Sequence, residues 1–189
     1  MSVLLRASEL EGRPVVTLAG ERVAEIKDVV FDSSRGRLIG FSLRGVGLFS
    51  RSPYDALPWA VISGLGRDAV MIRDEEALQG TQRLVAEGVP DDRDVLGNQV
   101  LTDTGTHLGK VVDVIIEVGP TAEIVGYEVA AAGELGTHGE RVLIPLPDTI
   151  AVSGEHLIVP AAATEFVGDD LTGFGAAVDA FRARLRQGG

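Results

Sequence analysis

Cysteine is absent from this 189-residue chain, which removes disulfides, thiol catalysis and thiolate metal sites from consideration. Histidine is nearly so. His107, His138 and His156 fall in separate loops, with no pair at the helical i, i+4 spacing that suits a metal. Aromatic residues make up only 5 %, so the cores have to be assembled chiefly from Val, Ile, Leu and Ala. Basic residues are also few, 17 against 28 acids, for a formal charge of −11. A generic nucleic-acid binder presents a basic face, so this balance argues against that class and suits a protein kept in solution by its charge. No apolar run approaches the ~20 residues that a membrane-spanning helix needs. Residues 1–12 lack the basic start and apolar centre of a secretory signal. The expectation is a soluble, cytoplasmic protein.

What the chain does have is a repetition. Leu10-Glu11-Gly12-Arg13-Pro14-Val15-Val16, Ala19-Gly20 and Ala24 to Asp32 return as Val95 to Leu101, Thr104-Gly105 and Gly109 to Glu117. Gly12, Gly20, Asp28 and Val29 map onto Gly97, Gly105, Asp113 and Val114 at a constant shift of 85. The shift grows to 86 at Gly40-Phe41 and Gly126-Tyr127, 87 at Pro58 and Pro145, and 88 at Gly66 and Gly154. Growth confined to turns is what a duplicated β domain tolerates. A duplication also sets the organisation: a first unit over 1–80, a connector over 81–92, a second unit over 93–165 and a C-terminal segment over 166–189.

Within the first copy, Pro14 to Leu18, Val23 to Phe31, Leu38 to Leu43, Leu57 to Ile62 and Ala69 to Ile72 read as strands, separated by Gly- and Ser-rich turns. The alternation lapses near Asp28, which predicts a bulge or bend there. Short strands with tight turns point to a small barrel rather than a parallel sheet with helical crossovers. Asp74 to Val85 reads as a short connector helix and Gly88 to Asp92 as a linker. The end of the chain changes character. Phe174, Val178, Phe181 and Leu185 recur on one face of a helix over 174–186, with Thr172 as its cap and Arg182, Arg184 and Arg186 near its end. A helix of this length is marginal in water unless its apolar stripe is covered, by its own barrels or by another chain in a homodimer.

The strings Gly12…Val15, Gly20 to Asp32, Gly36 to Phe41, Leu57-Pro58-Trp59 and Ala69 to Ile72 resemble the PRC-barrel family, and the second copy is similar through Gly97, Gly105 to Glu117, Ile124 to Tyr127 and Ile144-Pro145. Leu146 stands where Trp59 would. The resemblance implies a mainly β fold of two tandem small PRC-like barrels, here with a connector helix and a C-terminal α-helix. It further implies a module for protein contact. Relatives of the family serve as the cytoplasmic domain of the photosynthetic reaction centre's H subunit, in a maturation factor of the small ribosomal subunit, and in archaeal division proteins. No catalytic residue set accompanies the family, so none is assigned to this chain, and neither is a cofactor or a metal.

The candidate chemistry is correspondingly thin. Asp28 and Asp113 are the best-matched acids, and each is expected to bond backbone amides at a strand bend. Asp32 and Glu117 precede turns, where acids are ordinary caps. Gly45-Val46-Gly47 and Gly64-Leu65-Gly66 lack the third glycine and the following helix of a dinucleotide fingerprint. Ser50, Ser52, Ser63 and Ser153 lack a nucleophile elbow. Trp59 reads as core. The insert between Arg44 and Ala56 is more informative, because it carries Leu48, Phe49 and Tyr54 at a hairpin tip and the equivalent stretch of the second copy, 130–138, has no aromatic residue. Apolar side chains there suit either a partner contact or a cover over a barrel end. The candidate partner-binding residues are therefore Leu48, Phe49, Tyr54, Phe174, Val178, Phe181 and Leu185. They fit a non-enzymatic protein-interaction scaffold with an unknown protein partner. A ribosome- or RNA-associated factor using the C-terminal arginines is the alternative.

Overall fold

The computed structural model of the protein describes residues 3–32, 36–46, 56–78, 95–146, 151–153 and 155–187. The chain divides into two compact units, residues 7–93 and residues 1–6 together with 94–189. The opening strand β1 (Val3–Arg6) therefore joins the second unit, although its position counts it with the first copy.

The first unit contains β2 (Pro14–Thr17), β3 (Arg22–Asp32), β4 (Arg37–Arg44), β5 (Ala56–Pro58), β6 (Ile62–Leu65) and β7 (Val70–Ile72). Their side-by-side order is β5-β4-β3-β2-β7-β6. All pairs are antiparallel except β2 with β7, which runs parallel through Val15↔Val70, Val16↔Met71 and Thr17↔Ile72. That one parallel contact brings the end of the copy back beside its start. The second unit repeats the plan with β8 (Gln99–Thr102), β9 (His107–Val118), β10 (Ala122–Ala131), β11 (Arg141–Pro145), β12 (Ala151–Ser153) and β13 (His156–Val159). Here β13 runs parallel to β8, from His156↔Gln99 to Val159↔Thr102.

Three of the bulges are duplicated as well as the strands. Ladder registers skip Val23, Lys27 and Ile39 in the first copy and Leu108, Val112 and Val125 in the second. The shift is 85, 85 and 86 residues, matching the drift read from the sequence. The skip at Lys27 sits beside Asp28, where alternation predicted a bend. An inserted residue turns the strand more sharply, and two such bends in β3 and in β9, with one in β4 and in β10, curl the sheet.

Gly20 and Gly105 occupy the β2–β3 and β8–β9 turns with φ of 91° and 86°, a left-handed conformation that glycine adopts without a Cβ penalty. Gly40 and Gly126 are glycines for a different reason. A Cβ on Gly40 would lie 2.2 Å from the Leu57 carbonyl oxygen, and one on Gly126 would lie 2.5 Å from that of Ile144. Each glycine lets the next strand approach its hairpin closely. Phe41 and Tyr127 follow them and are buried at equivalent places in the two cores.

Three local expectations are corrected, and a fourth, the connector helix, lies largely outside the described residues. Leu57 to Ile62 is not one strand: β5 ends at Pro58, which has no N–H to donate, and Trp59–Val61 coil into a 3-10 turn. Trp59 is consequently half-buried rather than core. Of the expected connector helix, Glu75–Leu78 form a 3-10 turn; residues 79–94 lie outside the described residues. The C-terminal helix α1 spans Leu171–Gln187, and its cap is Asp170 rather than Thr172. Asp170 Oδ1 accepts hydrogen bonds from the backbone N–H groups of Thr172 (2.8 Å) and Gly173 (3.2 Å). This is the usual service of an N-cap carboxylate to donors that have no partner within the helix.

Candidate functional site

The residues singled out for partner contact separate into two groups. Leu48, Phe49 and Tyr54 lie outside the described residues, which reach only Val46 on one side of the insert and resume at Ala56. The near root of the insert is fixed by charge. Glu25 on β3 lies opposite Arg44 on β4, receives Arg44 Nε at 2.8 Å and is also bonded by Arg22.

The helix stripe is fully described and faces inward. Phe174, Val178 and Phe181 are buried, whereas Leu185 is partly exposed. Phe174 and Val178 pack with Ile115 of β9, Val125 of β10 and Leu143 of β11, and Leu4 of β1 adds to the cluster. Gly126 makes room for Phe174, since a Cβ there would meet the ring at 2.6 Å. Phe181 packs against Phe166, with ring centroids 5.5 Å apart and tilted by 50°. Of the two readings of the stripe, cover by its own unit is the arrangement observed. A partner meeting α1 in this form would meet its polar outer face.

Polar groups that resemble chemistry are engaged internally. Asp28 lies opposite Ser42, whose hydroxyl donates to Asp28 Oδ2 at 3.0 Å while accepting the Asp28 N–H at 3.1 Å. Its described partners are thus a hydroxyl and the Lys27 ammonium 3.3 Å away, not the backbone amides expected. Asp113 does bond a backbone amide, accepting Val114 N–H at 2.8 Å. His107 is exposed and pairs with the Gln99 side chain, His138 is exposed and His156 is half-buried, on different elements. A cavity of about 240 Å³ is lined by Glu134, Leu135, Thr164 and Val167, and the Thr164 hydroxyl donates to the Ala161 carbonyl at 2.7 Å. Burial pushes the Tyr127 phenol above its ordinary range, so it stays neutral at physiological pH.

The most elaborate polar arrangement in the second unit was not visible in the sequence. Glu128 on β10 lies opposite Asp113, and its side chain is only 4 % exposed. Arg6 of β1 donates to Oε1 through both Nε (3.0 Å) and Nη2 (2.9 Å). Arg141 of β11 donates to Oε2 through Nη1 at 3.0 Å. A carboxylate this deep requires such partners, because desolvating an unpaired charge costs several kcal/mol. Three strands are thereby held at one point. The only sequence signal was the substitution of an acid for Ser42 at the equivalent position, and Arg6 is 122 residues away along the chain.

Charge is divided unevenly. Residues 7–93 hold 11 basic and 14 acidic residues (net −3), and residues 1–6 with 94–189 hold 6 and 14 (net −8). Of those six cations, Arg6 and Arg141 serve Glu128, and Arg182 lies 3.9 Å from Glu117.

A comparison with curated proteins returns no match. The family model for the PRC-barrel domain matches twice, over residues 3–79 and 88–165, one match for each copy of the repeat. Together these cover most of the chain, and the protein belongs to the PRC-barrel family, as a tandem duplication of its domain.

Proposed function

We propose that this protein is a non-enzymatic, cytoplasmic scaffold whose two PRC-barrel units present surfaces to a protein partner. Domains of this family serve as protein-interaction modules. The observation that carries the reading is the use made of the shared and buried acids: Asp28, Asp113 and Glu128 are each bonded within the protein, in service of strand geometry. The contact element is the first-copy insert bearing Leu48, Phe49 and Tyr54, because three of the four helix-stripe residues are buried in their own unit. The net charge of −11 favours a partner with a basic face. The RNA-associated reading is disfavoured by the same charge and by Arg182 facing Glu117.

Affinity purification from the native organism, with wild type beside the double variant Leu48→Ser/Phe49→Ser, tests the proposal. A protein that co-purifies with wild type and is lost with the variant, at unchanged melting temperature, supports it. A large fall in melting temperature instead makes the insert part of a core. RNA binding that weakens steeply with added salt would replace the protein partner with the alternative.

A further inference from the structure

A shift of 85 makes residues 88–91 the second-copy counterpart of Val3–Arg6, yet it is Val3–Arg6 that lies along β9. The pairing is antiparallel, from Val3↔Val118 to Arg6↔Ile115. Leu4 enters the cluster of Ile115, Val125, Leu143, Phe174 and Val178. Arg6 supplies one of the two guanidinium groups that hold the buried Glu128. The next residue, Ala7, already belongs to the other compact unit. The second unit is thus completed by a short extended segment that the first copy carries.

Every contact described here is made by residues of the segment itself: ladder hydrogen bonds, one apolar anchor and one charge pair in which two Arg6 donors share Glu128 Oε1. None depends on the covalent bond from Arg6 to Ala7, so the same segment from another molecule could make all of them. Exchange of an identical element between protomers is a low-cost route to association for this reason.

We propose that the β9 edge from Ile115 to Val118, with Glu128 at its end, is a strand-acceptor site. Its ligand is the Val3–Arg6 segment of a second copy of this chain, entering in place of the resident strand. Leucine at the second position and arginine at the fourth set its specificity.

The test uses full-length variants. In Arg6→Glu the resident strand is repelled by Glu128 while the acceptor stays intact. A fluorescent peptide of residues 1–7 should bind this variant at least tenfold more tightly than wild type, in which the resident strand competes. The same peptide carrying Arg6→Ala should bind at least tenfold more weakly. Absence of binding above that of a scrambled peptide overturns the site. Should Arg6→Glu fail to fold, Arg6→Gln replaces it and the same two outcomes apply. For the source of the ligand, Arg6→Glu is mixed with Glu128→Gln, which keeps a good donor strand and weakens its own acceptor. Light scattering should find a two-chain species in the mixture and single chains in each sample alone. A mixture that remains single-chain, despite peptide binding, overturns the second copy as donor.

Discussion

The two copies share their strand plan, their parallel closing pair and three bulges, and differ at the middle of the long hairpin. In the first copy Asp28 faces Ser42, and the pair is satisfied locally by a hydroxyl on a partly exposed surface. In the second, Asp113 faces Glu128, and two acids side by side are sustained by importing cations from β1 and β11. A similar contrast separates Gly40 from Gly126. Both admit a neighbouring strand, but only Gly126 also admits a helix side chain. The same scaffold therefore supports one unit with mainly local polar bonding and another tied together by its two outlying segments, β1 and α1.

The comparison can be broken experimentally because Trp59 is the only tryptophan and lies in the first copy, whereas α1 is the one α-helix among the described residues. The largest effect is expected from Phe174→Ala. Removing a fully buried ring should cost about 3–5 kcal/mol, read from the helical signal in a urea titration. An unchanged midpoint would show that α1 is dispensable to its unit. Next comes Glu128→Ala, which leaves Arg6 and Arg141 without their common carboxylate and should cost about 3 kcal/mol. Ser42→Ala, its first-copy counterpart, should cost about 1 kcal/mol by Trp59 fluorescence. Equal losses at the two sites would remove the distinction drawn between the copies.

Asp170→Ala should lower stability by about 1 kcal/mol, the usual value of an N-cap, whereas Thr172→Ala should be near neutral. The reverse order would restore Thr172 as the cap. The smallest effect concerns pH. Tyr127 has its folded-state value raised by burial, so its contribution is complete below the ordinary tyrosine value of about 10 and is lost as the pH climbs beyond it. Tyr127→Phe installs the residue found at Phe41 and should flatten the alkaline decline in stability. A decline unaltered by the substitution would assign it to other groups.

Much of the β scaffold was legible because its signals are local. The strands, the bend at Asp28 and the turn glycines each follow from a few consecutive residues, and repetition doubled every signal. The break at Pro58 was legible in principle, since proline cannot continue the ladder, but the apolar run Leu57 to Ile62 masked it. The helix cap moved by two residues because Asp170 and Thr172 are both acceptable caps and only the chain path chooses between them. The Arg6–Glu128–Arg141 cluster could not be read at all, for it joins residues far apart in sequence and none of the three stands out alone.

Periodicity and duplication, by themselves, determined that this chain makes two small strand-rich units and an amphipathic helix. Hydrophobic pattern and turn chemistry act over short distances and need no knowledge of neighbours. Tertiary structure alone decided that the helix stripe lies on β9, β10 and β11 and that the first copy's opening strand completes the second unit. An apolar face can be covered by any surface of matching shape, and a buried carboxylate can be neutralised by any arginine within reach. Which surface and which arginine depend on how the chain returns on itself.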